Sequence, residues 1–203
     1  MRLVFASRNR DKIAELRDTL LGLPLDIRSA EEFPDAPDVE ETGSTLEENA
    51  LLKARAVHQV VGGLCLADDT GLEVEALQGA PGVHSARYGG PEQSYEKNLH
   101  RLIAEMAGVP EPHRGARFRT VVALIFPDHR ETTIEGVCEG MILAEPRGTK
   151  GFGYDPVFWV PEVGKTFAEM GLPEKQNLSH RGRAMRRVRE ILDRFLGASD
   201  QEA

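Results

Sequence analysis

Cysteine is scarce: Cys65 and Cys138 are the only two in 203 residues, and they stand far apart. Such a pair builds neither a CxxC metal motif nor a disulfide framework, so a disulfide-stapled secreted domain is excluded and a reducing cytoplasm fits. Long apolar runs are missing too. The longest, VVALIF at 121–126, falls far short of the roughly 20 residues that span a bilayer. The apolar run in MRLVFASRNR is too short for a signal peptide. No membrane partner is expected. Positive charge is in deficit, with 25 Lys and Arg against 33 Asp and Glu for a net charge of −8. That balance argues against a chain that coats nucleic acid, while leaving room for a local basic site that holds phosphates. Repeats, low-complexity tracts and linkers are also lacking. With 40% hydrophobic and 29% charged residues the composition is ordinary for a globular protein, and residues 1–203 read as one domain.

What is present reads as alternating strands and helices. RLVFA (2–6) is a short buried strand. Asn9 then precedes a helix with Ile13, Leu16 and Leu20 on one face, and a strand feeding a helix N-terminus points to an α/β protein. The acidic, proline-broken segment 31–48 reads as a solvated loop, closed by a Thr45-x-x-Glu48 capping box that opens a second helix. Leu46, Ala50, Ala54 and Val57 line the buried face of that helix. LCLA (64–67) reads as a strand ending at Asp68-Asp69. Residues 94–108 form a helix stopped by Gly108, and ARFRTVVALIF and ETTIEGVCEGMIL flank a hairpin turn at PDHR (127–130). A last helix starts near Ser179, buries Met185, Val188, Ile191, Leu192 and Phe195, and is expected to end at Gly197.

Two familiar nucleotide motifs fail. Gly151-x-Gly153 is followed by Pro156 where a third glycine belongs, and VGKT at 163–166 has Trp159 where a phosphate loop needs its first glycine. Glycines 148, 151 and 153 beside Phe152 and Tyr154 still permit close approach to a flat ligand, although an ordinary glycine-rich loop explains them equally well. SRNRDK (7–12) sits at a helix N-terminus, where unpaired N–H groups and the helix dipole favour anions, and Ser7, Asn9 and Lys12 add donors. Taken alone, that stretch is also explained by Asn9 as a cap and Lys12 as a solvated charge.

Asp68-Asp69-Thr70-Gly71 has turn composition, yet two carboxylates at a strand end are where α/β proteins place ligands. Hard oxygen donors in such a place suit Mg²⁺, with Glu40 and Glu41 as further candidates. Lys175, His180 and Arg181 cluster at another helix start, for which Ser179 as N-cap is a partial and simpler explanation.

Together, SRNRDK, EETGSTLEENALLKA, ADDTGLEVEALQGAPGVHSARYGG, ARFRTVVAL, GFGYDPVF and EKQNLSHRGRAM resemble the inosine triphosphate pyrophosphatase family. They occur in family order from residue 3 to about residue 192. The resemblance implies an elongated mixed α/β fold, a sheet with flanking helices and two lobes around a substrate cleft. It implies hydrolysis of ITP, dITP or XTP to the monophosphate and pyrophosphate, and a homodimer.

By the same resemblance, Ser7, Arg8, Asn9, Arg10, Asp11 and Lys12 bind the triphosphate, with Lys53 as a further phosphate contact. Glu40 and Asp69 hold Mg²⁺, Asp69 serves as general base, and Thr70 touches substrate. Phe152, Gly153, Tyr154 and Asp155 form the base-binding residues with Lys175, His180 and Arg181. Ser7-Arg8-Asn9 departs from the commoner Thr-Gly-Asn, which touches the geometry of the phosphate loop. The competing expectations are a pyrophosphatase of similar fold for other modified triphosphates, and a catalytically silent nucleotide-binding module.

Overall fold

The computed structural model describes residues 1–199. Among these, the chain opens with strand β1 (Arg2–Phe5), in which Leu3, Val4 and Phe5 are wholly buried, and turns into helix α1 (Arg10–Thr19). Asn9 caps α1, its side-chain oxygen accepting from the N–H groups of Asp11 and Lys12. After β2 (Asp26–Ser29), helix α2 (Leu46–Val61) begins at the capping box of Thr45 and Glu48 and buries Leu46, Ala50, Ala54 and Val57, as the spacing predicts. Then come β3 (Leu64–Val74), the short β4 (Pro81–Gly82) and helix α3 (Tyr95–Glu105), capped by Ser94. The predicted hairpin is formed by β5 (Gly115–Ile125) and β6 (Glu131–Ile142). Its turn is closed by His129 N–H on Phe126 O at 3.0 Å and Phe126 N–H on Arg130 O at 2.9 Å. Strands β7 (Phe158–Val160) and β8 (Lys165–Thr166) and helices α4 (Leu172–Leu178) and α5 (His180–Ser199) complete the described chain.

The eight strands form one mixed sheet in the order β2-β1-β3-β5-β6-β7-β8, with β4 added on β3. β1 runs parallel to both β2 and β3, so Leu3 faces Ile27 on one side and Leu64 on the other. β4, β7 and β8 are antiparallel to their partners. This is the mixed α/β sheet with flanking helices that the resemblance implies.

Two compact units share that sheet. Unit 1 comprises Met1–Asp69, Thr120–Gly136 and Gly182–Ala203, and unit 2 comprises Thr70–Arg119 and Val137–Arg181. β3, β5 and β6 each contribute residues to both. Unit 1 has a core that includes Phe5, Leu16, Leu66, Leu124, Val188 and Leu192. Unit 2 has its own, including Leu72, Leu102, Met106, Phe118, Phe158 and Phe167. No helix among the described residues is long and apolar enough to cross a membrane.

Two expectations are corrected. β3 does not end at the paired aspartates: it continues to Val74, and Asp68 and Asp69 lie mid-strand and buried. Local composition suggested a turn, but both carboxylates have cationic partners there, so charge does not interrupt the strand. Nor does Gly197 end the last helix, which runs on to Ser199. Glycine permits a left-handed stop without requiring one, and Gly197 is not among the residues with positive φ.

Candidate active site

In unit 1 the carboxylates of β3 are met by side chains from both flanking helices. Lys12, in the first turn of α1, places its Nζ 3.2 Å from Asp68 Oδ2, and the Asp68 side chain is wholly buried. From α2, Lys53 Nζ donates to Asp69 Oδ1 at 3.1 Å and to Glu41 Oε1 at 2.5 Å. One turn earlier on the same helix face, Asn49 Nδ2 donates to Asp69 Oδ2 at 3.3 Å, so both oxygens of Asp69 are held by α2. Asn49 is itself aimed by the Gly43 N–H, which donates to its Oδ1 at 2.7 Å.

Electrostatics follow from this crowding. Burial raises the Asp69 carboxyl above the ordinary aspartate value; Lys53 opposes that shift, Glu41 adds to it, and Lys12 opposes it. Burial by itself would pull Lys53 down, but the charges of Asp69 and Glu41 hold its ammonium above the usual lysine value. The result is a cationic lysine gripping a carboxylate that gains a proton more readily than an exposed aspartate would.

The remaining predicted residues of unit 1 fall into place unevenly. Ser7 is half-buried, its Oγ accepting from Asn9 N–H at 3.2 Å and its carbonyl from Ser29 Oγ at 3.0 Å. Asn9 spends its side-chain oxygen on the N–H groups of Asp11 and Lys12, so those two donors of the α1 terminus are already satisfied. The capping explanation of Asn9 therefore holds, while Lys12 is not simply solvated. Arg10 and Asp11 are exposed. Arg8 is exposed as well, with only a loose approach of Nε to Asp38 at 3.8 Å. Glu40 is exposed, and it is its neighbour Glu41 that reaches Lys53.

In unit 2 the predicted base-binding residues gather around a buried ion pair. Lys175 Nζ lies 2.6 Å from Asp155 Oδ2, and the same oxygen accepts from the Phe152 N–H at 2.9 Å. Lys175 Nζ also stands 4.7 Å from the centroid of the Phe152 ring and 5.7 Å from that of Phe167. Glycine is required beside it: Gly151 has φ of +75°, and an added Cβ there would lie 1.9 Å from Asp155 Oδ2. Gly153, with φ of +64°, lets the chain turn again. Tyr154 is buried and donates its hydroxyl to Ser85 O at 2.9 Å, and burial raises its phenol above the ordinary value.

His180 and Arg181, the first residues of α5, are both buried, and the His180 ring stacks on Phe118 with centroids 4.5 Å apart and planes 13° from parallel. Ser179 lies between α4 and α5 in extended conformation. Thr70 follows Asp69 along β3 and is half-buried.

Sequence reasoning missed Asn49 as a holder of Asp69, although its i,i+4 relation to Lys53 carried the signal. It singled out Gly151 for the close approach of a flat ligand, whereas the group that requires an absent side chain there is Asp155 of the chain itself.

Chemically, unit 1 presents hard carboxylate oxygens with ammonium groups on them, and among the described residues no group of three or more His, Cys, Asp or Glu gathers, so a cation such as Mg²⁺ would have one or two carboxylates here and take its other oxygens from phosphate. Unit 2 presents aromatic faces and buried N–H donors, which suit a flat heterocycle with acceptor groups. A dITP/XTP pyrophosphatase of Desulforamulus reducens is 48% identical over 195 residues, covering 96% of this chain and 97% of that protein. One of Geobacter sulfurreducens is 49% identical over 191 residues, 94% of this chain and 96% of that protein. Among solved structures, a HAM1 protein from Coxiella burnetii superposes with a TM-score of 0.88 at 39% identity, over 96% of this chain and 99% of that one. The Staphylococcus aureus Ham1 protein gives 0.86 at 37%, over 95% and 98%. The Ham1 family matches residues 3–191, nearly the whole sequence, and this chain belongs to that family.

Proposed function

We propose that the protein is a nucleoside triphosphate pyrophosphatase that hydrolyses deaminated purine nucleotides, ITP, dITP and XTP, to the monophosphate and pyrophosphate. The observation that carries this reading is the presence in one chain of a buried, lysine-held carboxylate cluster and a buried aromatic group rich in N–H donors. The names of relatives nearly half identical over their full length support the same activity.

In this reading Asp69 takes the proton of the water that attacks the α-phosphorus, and its raised affinity for a proton suits a general base. Lys53 and Asn49 keep its two oxygens oriented. Lys12, Lys53 and the segment Ser7–Lys12 hold phosphate oxygens. Glu40 and Asp69, with Asp68 and Glu41 close in sequence, are assigned to Mg²⁺, which when bound neutralises triphosphate charge and polarises the phosphorus–oxygen bonds. Phe152 offers a flat face to the base. Lys175, Arg181 and neutral His180 supply donors for the 6-oxo group of hypoxanthine or xanthine, while the 6-amino group of adenine would set donor against donor. Two buried thiols suit the cytoplasm to which we assign the enzyme. A homodimer is part of the same proposal, and sedimentation at micromolar concentration should give twice the chain mass; the monomer mass would reject it.

Pyrophosphate release across ITP, dITP, XTP, GTP and ATP tests the activity. Buried hydrogen bonds of this kind discriminate by up to about 10⁴-fold, so ITP should far outpace ATP. Equal rates for the two would end the proposal. Turnover in ¹⁸O-water should label the monophosphate alone, and label in pyrophosphate would contradict attack at the α-phosphorus.

A further inference from the structure

Tyr95 is one of the few large apolar side chains that the fold leaves exposed, at 41%. It is the first residue of α3, and the preceding Ser94 caps that helix by accepting from Lys97 N–H at 3.4 Å, so a secured helix end fixes its Cα. Its ring meets Phe152, with centroids 5.6 Å apart and planes tilted by 30°. Phe152 stands between Gly151 and Gly153, both with positive φ, so its backbone is flanked by the two most permissive residues available. The Phe152 N–H is tied to Asp155, Lys175 of α4 lies against its ring, and Tyr95 of α3 adds an aromatic contact to it.

From this we infer that Tyr95 is a positioning residue for the purine base: it holds the Phe152 ring in place and widens the aromatic surface on which the base lies. The reasoning is geometric. An exposed ring in tilted contact with a half-buried one places two aromatic groups side by side at the surface, and a purine is the flat, polarisable group that such a pair takes up. The contact of Tyr95 is with the ring assigned to the base, so its influence should fall on recognition of the base and not on the chemical step. The inference rests on the purine pyrophosphatase reading above and names a residue of that recognition beyond those already assigned.

The test compares Tyr95→Ala, Tyr95→Leu and Tyr95→Phe with the parent protein, using ITP as substrate and inorganic tripolyphosphate, which has no base, as a competitive inhibitor. An aromatic contact of this type is worth enough to change affinity by about 3- to 10-fold. Tyr95→Ala and Tyr95→Leu should raise KM for ITP by that factor with kcat within about twofold, while the inhibition constant of tripolyphosphate stays put. Tyr95→Phe, which keeps the ring, should match the parent. An unchanged KM in Tyr95→Ala, an equal loss of tripolyphosphate binding, or a Tyr95→Phe as impaired as Tyr95→Ala would each overturn the inference. A parent protein that fails to hydrolyse ITP would instead bring down the functional reading, and the inference with it.

Discussion

The buried pair of Lys175 and Asp155 invites a quantitative test. Both residues are nearly inaccessible, at 8% and 3%, and their charged atoms lie 2.6 Å apart. Replacing Lys175 by Met keeps the apolar stem against Phe152 and Phe167 but takes from the buried Asp155 carboxylate the ammonium group 2.6 Å away. Removing one partner of a buried ion pair costs about 3–5 kcal/mol, because the remaining charge is left without compensation. With a urea slope near 3 kcal/mol/M, that loss moves the unfolding midpoint down by about 1–1.7 M. Asp155→Asn should cost a similar amount, since it takes the carboxylate from the buried ammonium instead. The double variant Asp155→Asn/Lys175→Met strands neither charge, so its loss should resemble that of one single change. A coupling of at least about 2 kcal/mol is expected from the four-protein cycle, measured by equilibrium urea unfolding. Losses that add to within about 0.5 kcal/mol would refute the argument and reduce the pair to two independent residues.

Asp69→Asn should lower kcat by at least about 10²-fold while leaving the fold intact, since general-base action alone contributes that much; more than a tenth of parental kcat would remove Asp69 from its role. The same variant tests linkage. A carboxyl whose folded pKa lies above its unfolded one contributes stability that is present below the unfolded value and lost as pH rises through the folded value, so at neutral pH Asp69→Asn should be at least as stable as the parent in urea. A clear destabilisation there would show that the lysine contacts outweigh burial. The acidic limb of kcat/KM should sit above the ordinary aspartate range, and Glu41→Gln should move it to lower pH by removing a charge that raises Asp69; a limb that stays in place would uncouple the two residues. EDTA should abolish turnover and Mg²⁺ restore it, with Glu40→Gln raising the Mg²⁺ concentration needed for half-maximal rate; a rate indifferent to EDTA would remove the metal from the proposal.

Much of the fold was legible locally. The strand–loop–helix opening, the capping box at Thr45 and Glu48, the buried face of α2 and the turn between β5 and β6 all depend on interactions among residues a few positions apart, and those are written in periodicity and turn chemistry. The six segments resembling a known family likewise singled out Asp69, Lys53, Asp155 and Lys175, which the folded chain joins in two ion-paired groups. Short strands were a different matter. β2, β7 and β8 have two to four residues each, too few for a pattern, and exist because a neighbouring strand satisfies their backbone groups.

By itself, then, the amino-acid order determined where helices begin, which faces are apolar and which residue types carry the chemistry. Only the tertiary structure decided that β3 continues through its two aspartates, because the stabilising ammonium groups arrive from Lys12 and Lys53 on separate helices. It also decided that Glu41 and not Glu40 meets Lys53, and that Tyr95 lies against Phe152. A buried charge or an exposed ring takes its meaning from partners distant along the chain, and no local pattern encodes a distance that folding creates.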